Sequence, residues 1–153
     1  MSAKHIYDTD PLGSLVRYSD GTPKPPARFN RKIAAWQNRN GVGRLVRKEP
    51  RLDRPTRTSP ASITLLEGNF ASGGFVLVTV MRTHSVDSDL RFELIERPAF
   101  GAVRILQDHA DNTELLHLAE NRDAAERWLM QHRYSQPRCA SKTSPRMRKA
   151  RMA

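Results

Sequence analysis

The sequence predicts an α+β fold. An antiparallel meander of four to five strands is packed by a C-terminal helix, preceded by a basic helical segment and followed by a disordered basic tail. Three observations predict it. Phe75-Val76-Leu77-Val78-Thr79-Val80-Met81 is the most apolar run in the chain, and it is apolar at consecutive positions, as in a central strand covered on both faces. Leu90, Phe92 and Leu94 alternate with polar residues, the period of a half-buried strand. Ala124, Ala125, Trp128 and Leu129 recur at helical spacing behind Asn121, a good N-cap residue.

Taken in order, residues 1–10 are polar and read as loosely held. Gly13-Ser14-Leu15-Val16-Arg17 is a short apolar stretch that ends at the turn dipeptide Asp20-Gly21. Its pattern, Gly-x-Leu-Val-Arg, returns as Gly43-Arg44-Leu45-Val46-Arg47. The two copies read either as short strands flanking a helix, as in a small β-α-β unit, or as coincidence in an Arg-rich chain. Between them a helix spans about residues 27–39, with Pro26 at its first position and Asn40-Gly41 at its end. Phe29, Ile33 and Trp36 share the face expected to dock on the domain, with Arg28, Arg31, Lys32 and Arg39 on a neighbouring stripe.

Pro50, Pro55 and Pro60 make residues 48–60 a linker, because proline is excluded from helix interiors and central strands. Strands follow at residues 62–66, 75–82, 90–95, 103–106 and 115–118, joined by connections short enough for a meander. Trp128, on the last helix, is expected to be the largest single burial. The organisation is therefore a basic N-terminal module (1–47), a Pro/Arg-rich linker (48–60), an α+β core (61–134) and a disordered basic tail (135–153).

Charge follows the same division. Residues 1–60 carry 13 Lys and Arg against 5 Asp and Glu, residues 61–134 carry 7 against 11, and residues 135–153 carry 6 against none. An acidic centre between basic flanks fits a polyanionic partner, nucleic acid first. Arg28, Arg31, Lys32, Arg39, Arg44, Arg47, Lys48, Arg51, Arg54 and Arg57 are the candidate phosphate contacts, with Arg138, Lys142, Arg146, Arg148, Lys149 and Arg151 of the tail adding non-specific affinity. Of the 26 basic residues 20 are Arg, so base composition of the genome is the competing explanation of the charge.

Chemistry is sparsely marked. Gly68 to Gly74 is glycine-rich but lacks the Gly-Lys-Ser/Thr of a phosphate loop, and no dinucleotide fingerprint or nucleophile elbow occurs, so no cofactor is called for. A metal-dependent hydrolase would need His84, Asp87 and Asp89 to meet Asp108, His109 and Asp111; read separately, these are polar turns. His117 and His132 read as histidines at the core edge. The lone Cys139 offers neither an internal disulfide nor a cysteine metal site, and no apolar run reaches the roughly 20 residues of a membrane helix. These features predict a cytoplasmic protein without membrane contact. In element order alone, residues 75–133 resemble small DNA-reading sheet-plus-helix domains, those of the plant AP2 type and the arm-binding domains of integrases. The net-acidic sheet differs from theirs, and no residue role is carried over. The leading expectation is a nucleic-acid-binding or accessory protein; the alternatives are a protein–protein adaptor using the acidic sheet face and the hydrolase.

Overall fold

The computed structural model describes residues 1–72, 75–110, 112–134 and 136–141. The chain begins with a helix, α1 (Ala3–Thr9), capped by the Ser2 hydroxyl, which accepts from the His5 N–H at 3.3 Å. Ala3 and Ile6 lie three apart on one face and are fully buried, and the Met1 carbonyl accepts from the Phe92 N–H at 2.9 Å. The N-terminus is therefore pinned, not loose: two apolar residues at helical spacing suffice to dock so short a helix. Asp10 follows, 1% exposed, and one carboxylate oxygen accepts from Arg97 Nε at 3.2 Å and Nη2 at 3.0 Å.

The remaining elements are β1 (Leu15–Ser19), α2 (Asn30–Gln37), β2 (Gly41–Glu49), β3 (Leu52–Arg54), β4 (Arg57–Ser59), β5 (Ser62–Ser72), β6 (Phe75–Ser85), β7 (Arg91–Glu96), β8 (Val103–His109), β9 (Asn112–Ala119), α3 (Arg122–Gln131) and β10 (Arg138–Ser141). The class is α+β with a large antiparallel sheet and a C-terminal helix, as the sequence predicts. The sheet, however, has eight strands where four to five were expected, because β1 and β2 join it from the N-terminal segment and β10 from the tail.

The sheet branches at β2. Arg44 pairs with Leu15 of β1 and Leu66 of β5, so those strands lie on opposite edges. Arg47 pairs with Thr64 of β5 and Glu114 of β9, so β9 takes over the edge that β1 leaves. One path runs outward from β2 through β1 to β7, one through β9 and β8 to β10, and one through β5 to β6. Gly13 sits at the handover with φ +98°, its N–H bonded to the Leu45 carbonyl at 2.8 Å.

Three apolar bodies result. α1 covers Val16, Tyr18, Leu45, Ile63, Leu65 and Phe92 from β1, β2, β5 and β7. α3 packs Ala125 against Val103, Ile105 and Ala119, and Leu12 adjoins both the first body and the Val46–Leu106–Leu115 group. Asn121 caps α3 as expected, accepting from the Ala124 N–H at 2.8 Å.

Several expectations need correction. β6 is an edge strand with β5 as its partner, and Val78 and Met81 are 54% and 41% exposed; a continuous apolar run does not by itself make a strand central. Trp128 is half-buried, while Tyr18 and Phe92 are the largest fully buried side chains. No residue of α2 is buried, and Phe29 is 37% exposed. Residues 48–60 contain the two-stranded ribbon β3–β4, with Pro55 in its turn and Pro50 and Pro60 outside its strands, positions that cost no ladder bond. Residues 138–141 of the expected disordered tail form β10 on β8, and residues 142–153 lie outside the described residues.

Candidate functional site

The sequence-predicted cations divide into three groups. The first is on α2. No Asp or Glu occurs between Asp20 and Glu49, and the helix that forms there carries no acid. Trp36 ties it down by donating Nε1–H to the Thr22 carbonyl at 3.0 Å. Asn40, buried, donates to the Trp36 carbonyl at 2.9 Å and to Asp20 at 3.0 Å. The Thr22 hydroxyl and N–H, and then the Asn40 amide, hold the Asp20 carboxyl down at about 2, so it stays anionic. Arg39 is used by this turn, 3.5 Å from Asp20 and 3.1 Å from Asp89. The Arg28 guanidinium and the Lys32 ammonium lie 4.7 and 4.8 Å from the Phe29 ring centre, which therefore serves as a platform for cations and not as a docking face. Arg28, Arg31 and Lys32 are exposed and form no ion pair among the described residues.

The second group is the β3–β4 ribbon, whose residues 51–58 are all exposed. Arg51 pairs with Asp53 at 3.2 Å. Arg54 and Arg57 face each other across the strands, beside a two-residue turn, with no carboxylate paired to either among the described residues. Like charges directly opposed in a ladder are destabilising. The ribbon leaves β2 at the end opposite α2, and nine residues of strand place about 26 Å between them.

The third group belongs to the fold. Arg44 donates to the Gly13 carbonyl at 2.6 Å and helps hold the handover of strands. Arg47 Nε lies 3.1 Å from Glu49. Lys48 donates to the Tyr7 carbonyl at 2.7 Å, and burial lowers its pKa. Their partners lie on neighbouring segments of the fold, a consequence that residue type alone does not reveal. In the tail, Arg138 is bound to Asp108 at 3.0 and 3.1 Å; Lys142, Arg146, Arg148, Lys149 and Arg151 lie outside the described residues.

The two loops proposed for a metal do different work. His84 pairs in register with Ile63, and its ring packs 4.5 Å from that of Tyr18 and 5.4 Å from that of Phe92. Burial lowers its pKa. Beside it the Tyr18 hydroxyl donates to Glu67, whose other oxygen accepts from Arg82 Nε at 3.0 Å. Asp87 is exposed and Asp89 serves Arg39. Asp108 is committed to Arg138, His109 faces Glu114 at 3.9 Å, and Asp111 lies outside the described residues. Among the described residues no three His, Cys, Asp or Glu side chains gather as a metal site would require. No helix of the described residues is long and apolar enough to cross a membrane.

One feature escaped the sequence reading: His117, Trp128, His132 and Tyr134 line the wall of a cleft beside β9. The i, i+4 spacing of Trp128 and His132 was its sequence signal, and a core reading absorbed it. In comparisons with known proteins, residues 1–144 match the family model described as "Uncharacterised conserved protein UCP036055". No curated protein and no solved structure matches the chain.

Proposed function

The chain belongs to the family of uncharacterised conserved proteins UCP036055, and we propose that it binds nucleic acid through phosphate contacts from the β3–β4 ribbon and the outer face of α2. The observation that carries this reading is the opposed pair Arg54 and Arg57. The ribbon bears a repulsion that no carboxylate among the described residues relieves and that a phosphate between the two guanidinium groups would. Arg28, Arg31 and Lys32 supply a second, acid-free contact. For the adaptor alternative, Glu67, Asp89, Glu93, Asp108 and Glu126 of the acidic central segment are each held by an arginine, which reduces the free acidic surface.

Anisotropy titrations against salt test the proposal, using duplex DNA and single-stranded RNA. Affinity should fall with a slope of about −0.9 per contact on duplex and about −0.7 on single strands. Arg54→Ala with Arg57→Ala, and separately Arg28→Ala with Arg31→Ala and Lys32→Ala, should each flatten the slope by roughly one unit or more. Both variants keep the tail intact. Absence of binding near about 0.15 M salt, or variants that bind like the parent, would overturn it.

A further inference from the structure

The wall of the cleft beside β9 is made of parallel rings. Trp128 stacks on His117 with centroids 5.0 Å apart and planes 7° apart, on His132 at 4.1 Å and 11°, and on Tyr134 at 5.6 Å and 11°. His132 is fixed by donating Nδ1–H to the Trp128 carbonyl at 2.9 Å. Burial first, then the nearby His132, keeps the pKa of His117 low, so at neutral pH the ring offers a π face and not a charge. Yet His132 is exposed and Tyr134 is 44% exposed. A core would bury rings that are held so flat; these are ordered at the surface of a cleft.

The cleft encloses about 430 Å³, within the range of sites for small molecules. Leu66, Leu115 and Leu116 line it, and Met81 of β6, 41% exposed, adds a polarisable thioether. Glu114 is the one carboxylate in the lining, which holds no Lys or Arg. Its side chain is 22% exposed and accepts no side-chain hydrogen bond among the described residues; His109 Nε2 stands at 3.9 Å. Stacked rings ask for a flat aromatic ligand, and a lone carboxylate asks for adjacent N–H donors on its edge. Guanine combines the two, presenting an imino and an amino N–H side by side on its Watson–Crick edge.

We propose that the cleft is a base-binding site, which stacks an unpaired guanine on the exposed rings of the Trp128 stack, His132 and Tyr134, and reads its donor edge with Glu114. The site deepens the nucleic-acid reading and rests on it, since the base would come from a single strand whose phosphates meet the cationic surfaces. Stacking accounts for affinity and Glu114 for the choice of base.

The test is an NMR titration of the full chain with GMP, UMP and single-stranded RNA carrying one guanine or none. The Trp128 indole N–H signal is identified by its survival in Trp36→Phe. GMP and the guanine-bearing RNA should shift the Trp128, His117 and His132 resonances. Glu114→Gln should weaken GMP about tenfold and leave UMP unchanged, whereas Tyr134→Ala, at an exposed position that spares the fold, should weaken both about tenfold. No shift with millimolar GMP overturns the site, while salt-dependent binding of RNA would leave the broader function standing. Shifts with GMP but none with RNA would uphold the site and overturn the nucleic-acid reading.

Discussion

At the scale of single residues, His84 shows how strand partners decide the fate of a polar group. It sits in register with Ile63, and β1 and β7 bring Tyr18 and Phe92 against its ring. Its Nε2 is buried without a hydrogen-bond partner among the described residues. Burial lowers the folded-state pKa, so below about pH 6.5 the unfolded chain takes up a proton that the folded chain refuses. Stability is therefore complete above that pH and is lost as the pH falls toward the folded value. His117 acts in the same direction. Urea melts between about pH 7.5 and pH 5 should show the midpoint dropping on the acid side, and His84→Phe should remove part of that drop while keeping the aromatic packing. An identical drop in the variant would sink the argument for His84. Gly41 marks the other limit of the same cluster: a Cβ there would stand 2.6 Å from the Tyr18 hydroxyl and 3.1 Å from Glu67, so only glycine leaves room for their hydrogen bond.

At the scale of elements, local signals were readable and pairing was not. The α3 cap and its buried Ala125 followed from spacing, as did the strands at β7, β8 and β9. The Gly-x-Leu-Val-Arg copies do fall in neighbouring strands on either side of a helix, α2, but the strands are antiparallel, with Val16 opposite Gly43, where a β-α-β unit has them parallel. Their glycines differ in purpose. Gly13 supplies a positive φ, whereas a Cβ on Gly43 would approach the Leu65 Cβ to 2.7 Å. The cation list was legible as a list, but which members stay free depended on pairing. Arg44, Arg47 and Lys48 found partners at Gly13, Glu49 and Tyr7, and Arg54 and Arg57 were left opposed. That opposition yields a prediction in which stability and binding part company. Arg57→Glu turns the repulsive pair into an attractive one, so the melting temperature should hold or rise slightly. Affinity for nucleic acid should fall and the salt slope should flatten by at least about one unit. A fall in both quantities would make the pair structural and remove the observation on which the function rests.

At the scale of the molecule, the branching of β2 joins strands from both sides of residues 48–60 in one sheet. Charge and proline content divide the sequence near residues 48–60, yet the strands on either side of that stretch share one sheet. β5 pairs with β2, β7 pairs with β1, and α1 closes the body that contains Ile63, Leu65 and Phe92. A fragment of residues 61–134 would lose β1, β2, β10 and α1, leaving β5, β7, β8 and β9 each short of a neighbour and an apolar face uncovered. It should therefore give a collapsed amide spectrum and no cooperative urea transition, where the full chain gives a dispersed spectrum and a single sigmoidal melt. A dispersed spectrum from the fragment would mean that β5 to α3 carry their own core and that β1 and β2 merely add to it. The outcome also decides how function can be mapped. If the fragment does not fold, its failure to bind nucleic acid says nothing about the basic N-terminal half. The cationic surfaces must then be located by substitutions at Arg28, Arg31, Lys32, Arg54 and Arg57, exposed positions that leave every strand pairing in place.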